Sequence, residues 1–275
     1  MDRRRILQAA AGVGLIHPSL NVTAQGKKSF DELFTEAKKV PQEFESARSV
    51  KEVFDPFNSK AAAPRVVPSK RRIAKKAVDL IVFFEVTGKD HYRERLTRPI
   101  WPGGPSGVTI GIGYDLGAVR VEWMRADWKA YLDPASITAL EPACQKSGPQ
   151  AEALASNLQR VEVPWTNAAS QFEERLLPLY ISQTLIALPL AAQLSDTSLG
   201  ALVCLVYNRG ANFTSPAAKR REMVKIKDAL ISNDLEKIPQ LIRDMKWIWD
   251  YQKYPGLHKR RDLEAALFEE GIARS

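Results

Sequence analysis

Apolar residues recur at helical spacing from residue 72 onward, and they define the first predicted element. They fall on one face of an α-helix, at Ile73, Ala77, Leu80, Ile81 and Phe84. Glycine commonly follows the last turn of a helix. We therefore expect this helix to stop near Thr87 and Gly88.

The remainder of the chain is predicted to be mainly helical. Further periodic or continuously apolar segments predict helices over 123–131, 170–190, 199–207, 218–233, 235–249 and 257–271. Residues 90–117 are instead rich in Gly and Pro and contain one short strand-like run, Val108–Ile112. The pattern predicts an α+β fold, a mostly helical domain with a small β-hairpin lobe.

The first 24 residues have the organisation of a signal peptide. A basic start is followed by a modest apolar stretch, Ile6–Ile16, and by small residues at Val22–Ala24. The run RRRILQ at Arg3–Gln8 resembles the twin-arginine consensus, although Asp2 stands where Ser or Thr is usual. The alternative is an amphipathic N-terminal helix. We expect a periplasmic or secreted protein, not an integral membrane protein, because the apolar stretch is too short to span a bilayer.

Residues 25–71 carry few sustained apolar positions. Within them, residues 59–70 combine small residues, two prolines and charge, as linkers do. We therefore expect a signal peptide at 1–24, a flexible arm and linker at 25–71 that catalysis does not need, and one catalytic domain at 72–275.

Charge and composition limit the classes of partner that the chain is expected to bind. The 275 residues carry a formal net charge of +8, which suits an anionic partner such as nucleic acid, a membrane surface or the bacterial cell wall. No nucleic-acid-binding motif is present, so we expect no nucleic-acid partner. His17, His91 and His258 do not stand at metal-ligand spacing, so we expect no metal and no cofactor. Cys204 lies in an apolar run and Cys144 is expected to be more exposed; whether they pair stays open.

Glu85 is the first candidate for chemistry. It follows an apolar run and stands at the predicted C-terminus of a helix, where the macrodipole is negative. Apolar surroundings and a negative dipole both raise the pKa of a carboxyl group, as a general acid requires. The alternative is a side chain that simply leans into solvent.

A glycine-rich run, Ser106–Gly117, is the second candidate. Its third glycine comes one residue too late for the dinucleotide-binding spacing, and it lacks the P-loop lysine and the G-x-S-x-G elbow. Alternating small residues allow a strand to bend sharply and a bulky ligand to approach the backbone. The run places Thr109 and Asp115 on either side of such a bend, although a hairpin without chemistry remains the alternative.

Several runs in the same order resemble pesticin-type, phage-lysozyme-like muramidases of the lysozyme-like superfamily. They are Phe84–Glu85, Trp101–Gly104, Thr109–Asp115, Ala201–Gly210 and Gly256–Glu264. In that family an early helix ends in the catalytic Glu, a hairpin carrying T-x-G-x-G follows, and a helical lobe completes the domain. The resemblance covers about residues 72–271.

The resemblance implies roles for the matching residues. Glu85 would protonate the glycosidic oxygen, Thr109 would help to position the attacking water, and Asp115 would orient or activate that water. In shorter phage lysozymes the aspartate precedes the Thr, so Asp90 is the second-choice catalytic aspartate.

Sugar binding has five candidates, each with a structural alternative. The aromatic residues near the acids are candidates to stack on sugar rings or to pack in the core, and they are Tyr92, Trp101 and Tyr114. Asn208 and Arg209 end a predicted buried helix, where they would line the cleft or form a helix C-cap.

The resemblance therefore implies a secreted hydrolase that cleaves the β-1,4 bond between N-acetylmuramic acid and N-acetylglucosamine in peptidoglycan, with inversion. Such an enzyme works on the cell wall, as an antimicrobial or a remodelling activity, and an inhibitor or immunity protein is a further partner to consider. The alternatives are an inactive cell-wall binding module and a lytic transglycosylase, which needs one Glu and no water-activating acid.

Overall fold

The computed structural model describes residues 27–48 and 65–273, so the expected signal peptide lies outside the described residues. In this part of the chain the fold is mostly helical, with one small antiparallel sheet, which confirms the α+β class. The α-helices are α1 Phe30–Ala37, α2 Gln42–Arg48, α3 Lys75–Val86, α4 Lys89–Arg95, α5 Val121–Trp128, α6 Pro134–Leu140, α7 Pro149–Asn157, α8 Trp165–Gln171, α9 Leu177–Ala187, α10 Asp196–Arg209, α11 Arg221–Ile231, α12 Ile238–Asp244 and α13 Pro255–Ile272. The strands are β1 Thr109–Ile110 and β2 Tyr114–Asp115.

The core is built around α10. Every residue from Ser198 to Arg209 is buried, and the helix packs against α3, α9 and α13. Small residues allow the close approach, since a Cβ added at Gly200 would lie 2.4 Å from the Cβ of Ala77. A helix that is apolar around most of its circumference must be covered on all sides, so α10 becomes the central element on which α3 and α13 meet.

Among the helices that the sequence did not predict are α2, α4, α6 and α7. The last two follow the hairpin lobe and contain only short sets of apolar residues. Their start signals were present, because Asp133 caps α6 and both helices have proline at their first position, Pro134 and Pro149. The segment expected as one helix over 170–190 contains a π-helical stretch, Phe172–Leu176, between α8 and α9.

The flexible arm expected at 25–71 is corrected for the residues that the structure describes. A capping box at Ser29 begins α1, and α1 and α2 dock onto α13 and α3. Phe30, Phe34 and Phe44 are buried in the main core. The aromatic side chains of these short helices find partners on α3, so the segment belongs to the folded domain.

Residues 65–71 form an extended strap, not a free linker. The backbone N–H of Ser69 donates to the carbonyl of Pro178 at 3.0 Å, and the Ser182 hydroxyl donates to the carbonyl of Val67 at 2.5 Å. Both contacts fix the strap along α9. Segment 65–71 therefore runs along the domain surface as a hydrogen-bonded part of it.

The two cysteines are free thiols and both are buried, so the expected exposure of Cys144 is corrected. Burial raises the pKa of the Cys144 thiol to about 12, with Glu141 and Glu122 adding to the effect. Among the described helices, none is long and apolar enough to cross a membrane.

Candidate active site

Glu85 lies in the last turn of α3 and its side chain is buried, with 7% of the residue exposed. It does not lean into solvent. The carboxyl oxygen Oε1 lies 3.5 Å from Nη1 of Arg260 on α13. The other carboxyl oxygen faces the hairpin, because a Cβ added at Gly113 would lie 2.7 Å from Oε2. Glu85 therefore sits between the helical core and the hairpin.

The backbone just after Glu85 is strained. Thr87 adopts φ 63° and ψ −40°, and the N–H of Gly88 donates to the carbonyl of Val86 at 2.6 Å. This is a tight γ-turn with a positive φ, which is rare and costly for a β-branched residue. The turn ends α3 abruptly at the carboxylate and sends the chain into α4. Strain of this kind concentrates at functional sites.

Arg260 is held from several directions. Its guanidinium lies 4.3 Å above the ring of Phe84. Its Nε donates to Glu264 at 3.1 Å, and its Nη2 donates to the carbonyl of Cys204 at 3.3 Å. Aromatic stacking and charge-assisted hydrogen bonds together fix a planar guanidinium. Arg260 thus presents an oriented cation to Glu85, a role that the sequence analysis did not assign.

The hairpin turn brings the second half of the site to Glu85. The expected strand Val108–Ile112 is shortened, because Gly111 (φ 57°) and Gly113 (φ 73°) turn the chain within it. The carbonyl of Ile112 accepts a hydrogen bond of 2.7 Å from the Tyr207 hydroxyl. Only glycine adopts these dihedrals without strain, and the anchored turn places Gly113 directly against the Glu85 carboxylate.

Thr109 and Asp115 are directly opposite each other in the antiparallel pair β1–β2. Directly opposite residues project their side chains on the same face of a sheet, so both side chains share one face. Asp115 is partly exposed and accepts hydrogen bonds from the backbone N–H groups of Gly117 at 2.8 Å and Gly107 at 3.3 Å. The Thr109 hydroxyl is within 3.5 Å of the Gly107 carbonyl. The backbone N–H groups of two nearby glycines therefore help to orient this carboxylate.

Both candidate carboxylates affect the pKa of Tyr180 on α9. Burial raises the pKa of its hydroxyl, and the charges of Glu85 and Asp115 raise it further. Its ring centroid lies 4.2 Å from that of Tyr207, the residue that anchors the hairpin turn. A protonated phenol can donate a hydrogen bond. No sequence signal singled out Tyr180.

Two of the proposed sugar-stacking tyrosines are buried. Tyr92 donates to the carbonyl of Val163 at 2.9 Å, and Tyr114 donates to Asp127 at 2.7 Å. Burial raises the pKa of both hydroxyls. Neither ring offers a face to a ligand in this conformation, so their placement favours the packing alternative.

Trp101 is the partly exposed aromatic residue of the proposed set. Its Nε1 donates to the carbonyl of Ser106 at 3.0 Å, which ties it to the base of the hairpin. The ring lines a surface groove of about 780 Å³ together with Arg95 and Arg98. Of the three aromatic candidates, Trp101 is the one whose position allows contact with a ligand.

Asn208 and Arg209 lie at the buried end of α10, before Gly210, which has φ 72° and ends the helix. Arg261 donates to Oδ1 of Asn208 at 2.9 Å and to Glu264 at 2.9 Å. The Arg209 guanidinium lies 5.2 Å above the ring of Trp249. These placements favour the C-cap alternative and a buried polar network over direct contact with a sugar.

Asp90, the second-choice aspartate, lies in the first turn of α4 with an exposed side chain. It is not part of the hairpin that meets Glu85. Asp115 is the aspartate that the fold brings to the face shared with Thr109. Within the described residues, no three His, Cys, Asp or Glu side chains are grouped to hold a metal ion.

Comparison of this chain with protein-family models gives no match, and comparison with curated proteins gives no significant match. The arrangement offers a buried carboxyl group on a helix and a second carboxylate with a neighbouring hydroxyl on a hairpin. Such a pair can donate a proton on one side of a scissile bond and orient water on the other.

Proposed function

We propose that the chain is a secreted peptidoglycan hydrolase with a lysozyme-like fold. It would cleave the β-1,4 bond between N-acetylmuramic acid and N-acetylglucosamine. The supporting observation is the meeting of Glu85 with the hairpin that carries Thr109 and Asp115, with Gly113 against the Glu85 carboxylate. This is the set of residues that the resemblance to pesticin-type muramidases assigns to catalysis.

The proposed reaction is a single displacement. Glu85 gives its proton to the glycosidic oxygen as the bond from that oxygen to the anomeric carbon breaks. A water molecule held by Thr109 and Asp115 attacks the anomeric carbon from the opposite face, and Asp115 accepts the water's proton. The anomeric configuration is inverted. The charges of both carboxylates raise the pKa of the Tyr180 hydroxyl, so this hydroxyl stays protonated near the site.

The position of Glu85 suits a general acid. Glu85 is buried at the C-terminal end of α3, beside the hairpin turn at Gly113. A positioned carboxyl group of this kind can donate a proton to the leaving oxygen. Arg260, 3.5 Å from Oε1, orients the carboxyl group.

The test is digestion of purified peptidoglycan followed by mass analysis of the fragments, for the wild-type protein and Glu85→Gln. We expect fragments with reducing ends from the wild type and none from the variant. Fragments lighter by one water, with an anhydro sugar, would assign a lytic transglycosylase. Binding without any cleavage would assign a wall-binding module.

Export is a separate part of the proposal. The run RRRILQ motivates a twin-arginine route to the periplasm. Replacing Arg3, Arg4 and Arg5 by Lys should leave the precursor in the cytoplasm. Mature protein that still crosses the inner membrane by the general secretory route would contradict the twin-arginine assignment.

A further inference from the structure

The described N-terminal segment, residues 27–48 and the strap 65–71, contacts elements that hold both candidate carboxylates. On one side, α2 packs on the end of α3 that carries Glu85. On the other side, the strap 65–71 runs along α9 and reaches the hairpin lobe through Arg65. A segment that touched only the outer surface of the domain would make neither connection.

The first connection runs through stacked side chains. Phe44 of α2 stacks on Phe84, with ring centroids 5.7 Å apart and planes 30° apart. The ring of Phe84 also carries the guanidinium of Arg260, 4.3 Å from its centroid. Arg260 in turn lies 3.5 Å from Glu85. Phe44 thus supports the aromatic platform on which the partner of Glu85 lies.

The first turn of α13, which leads to Arg260, is in direct backbone contact with α2. A Cβ added at Gly256 would lie 2.3 Å from the carbonyl oxygen of Glu43, so α2 and the first turn of α13 touch directly. The ammonium of Lys259, next to Arg260, lies 2.6 Å from the Glu43 carboxylate. The α2 helix therefore sets the position of the turn of α13 that carries Arg260.

The second connection runs through a buried carboxylate. Asp127 on α5 is fully buried and accepts a hydrogen bond of 2.7 Å from Tyr114, the residue that precedes Asp115. Arg65 of the strap forms an ion pair with the same Asp127 oxygen, and Arg175 approaches the other oxygen at 3.4 Å. A buried carboxylate is stable only when its charge is compensated, so Arg65 helps to hold Asp127 and, through it, Tyr114.

We propose that the N-terminal segment positions both candidate carboxylates, with Phe44 and Arg65 as positioning residues. Phe44 acts on Glu85 through Phe84 and Arg260. Arg65 acts on Asp115 through Asp127 and Tyr114. This inference rests on the proposed function for its kinetic consequence, but the structural coupling that it describes does not depend on any substrate.

The aromatic connection is tested with matched alanine variants of the full chain, Phe44→Ala and Phe30→Ala. Both remove a buried ring from the N-terminal helices, but Phe30 packs on Phe34 and not on Phe84. At a temperature where both variants are folded, Phe44→Ala should lower kcat about tenfold or more with little change in KM, because small displacements of catalytic groups are costly. Phe30→Ala should keep kcat near that of the wild type.

If either alanine variant does not fold, Phe44→Leu and Phe30→Leu are compared instead. The Phe44 variant is again expected to have the lower kcat. A readout without substrate runs in parallel. Exchange of the Arg260 Nε–H with solvent, followed by NMR, should speed up in the Phe44 variant and not in the Phe30 variant. Equal kcat or equal exchange in the matched pair would overturn the aromatic connection.

The strap is tested with Arg65→Gln and Arg71→Gln. Both arginines belong to the strap, but Arg71 pairs with Asp196 at the start of α10, away from the hairpin. We expect a several-fold loss of kcat for Arg65→Gln, partial recovery for Arg65→Lys, and no loss for Arg71→Gln. A wild-type protein that leaves peptidoglycan intact would refute the proposed function. Active enzyme with equal kcat in the two Gln variants would refute the strap's positioning role.

Discussion

The two candidate carboxylates are held by different physical means. Glu85 stands in a helix and is surrounded by side chains, with Arg260 as its ionic neighbour. Asp115 stands in a two-residue strand and is held by the backbone N–H groups of Gly107 and Gly117. The Glu85 carboxylate contacts an arginine that is distant in the sequence, whereas the Asp115 carboxylate accepts hydrogen bonds from glycines close to it in the sequence. Different kinds of substitution should therefore disturb them.

The end of α3, which carries Glu85, and the hairpin, which carries Asp115, meet at one residue. Gly113 belongs to the hairpin turn, and its α-carbon faces the Glu85 carboxylate closely enough that a methyl group would collide with it. The anchoring of Ile112 by Tyr207 fixes that turn against α10. The geometry between the two carboxylates thus depends on a glycine turn pressed against a helix end.

The largest expected effect is that of Glu85→Gln. An amide cannot donate a proton to the leaving oxygen, so turnover should fall below detection. The fold should be preserved, because Arg260 keeps its hydrogen bond to Glu264. Circular dichroism melting provides the control for folding, and residual cleavage at a substantial rate would remove Glu85 from its proposed role.

Asp115→Asn should lower kcat by about 10²–10⁴-fold, the range typical of acid–base groups. The amide can accept the hydrogen bond of one glycine N–H but presents a donor to the other, so some loss of stability is also expected. Asp90→Asn is the control, because Asp90 is exposed on α4. A dead Asp90→Asn beside an active Asp115→Asn would reverse the assignment of the two aspartates.

Gly113→Ala tests the contact between the hairpin turn and the Glu85 carboxylate. Its Cβ would lie 2.7 Å from Glu85 Oε2, and φ is 73°. We expect about tenfold or greater loss of kcat from the displaced carboxylate, with about 1–2 kcal/mol of strain from the left-handed backbone. Gly148→Ala is the control for a positive φ without a nearby group, since φ is 60° and ψ −140° there and the nearest atom would be 3.9 Å away. An equal loss of kcat in the two variants would show that a side chain at a positive φ, and not the contact with Glu85, causes the loss. Full activity in both would show that the contact does not affect catalysis.

The smallest expected effect concerns stability away from both carboxylates. Burial raises the pKa of Glu269, but hydrogen bonds from Arg243 and Lys27 outweigh it, and the net pKa is lowered. A lowered folded-state pKa contributes stability that is present above about pH 4.5 and is lost as pH falls further. Glu269→Gln should cost less than about 1 kcal/mol near neutral pH, converge with the wild type in acid, and leave kcat unchanged. Denaturation curves at several pH values check this.

The elements with strong local signals were predictable from the sequence. The helix that carries Glu85 was predicted because its apolar residues are periodic and Gly88 follows it. The bend around Gly111 and Gly113 was predicted because alternating small residues allow a strand to bend sharply. Each of these signals lies within a few residues of the feature that it predicts.

The parts of the site that arise from long-range packing were not predictable. Arg260 is far from Glu85 along the chain, and no pattern on α13 marks which arginine turns toward α3. Phe34 and Phe44 stand in a mostly polar segment, and they are buried because they pack on Phe83 and Phe84 of α3. The expected free arm is wrong for residues 27–48, which pack on α3, and for the strap 65–71, which is hydrogen-bonded to α9, because a local reading of the sequence includes neither partner.

The most direct test of the account is the configuration of the first product formed by the wild-type enzyme. The account requires water to attack from the face opposite the departing oxygen, held by Thr109 and Asp115 on the hairpin while Glu85 acts from the helix. Proton NMR during the first moments of glycan cleavage should therefore show the α-anomer at the new reducing end. An initial β-anomer would mean a retained configuration and would contradict the division of roles between the two carboxylates.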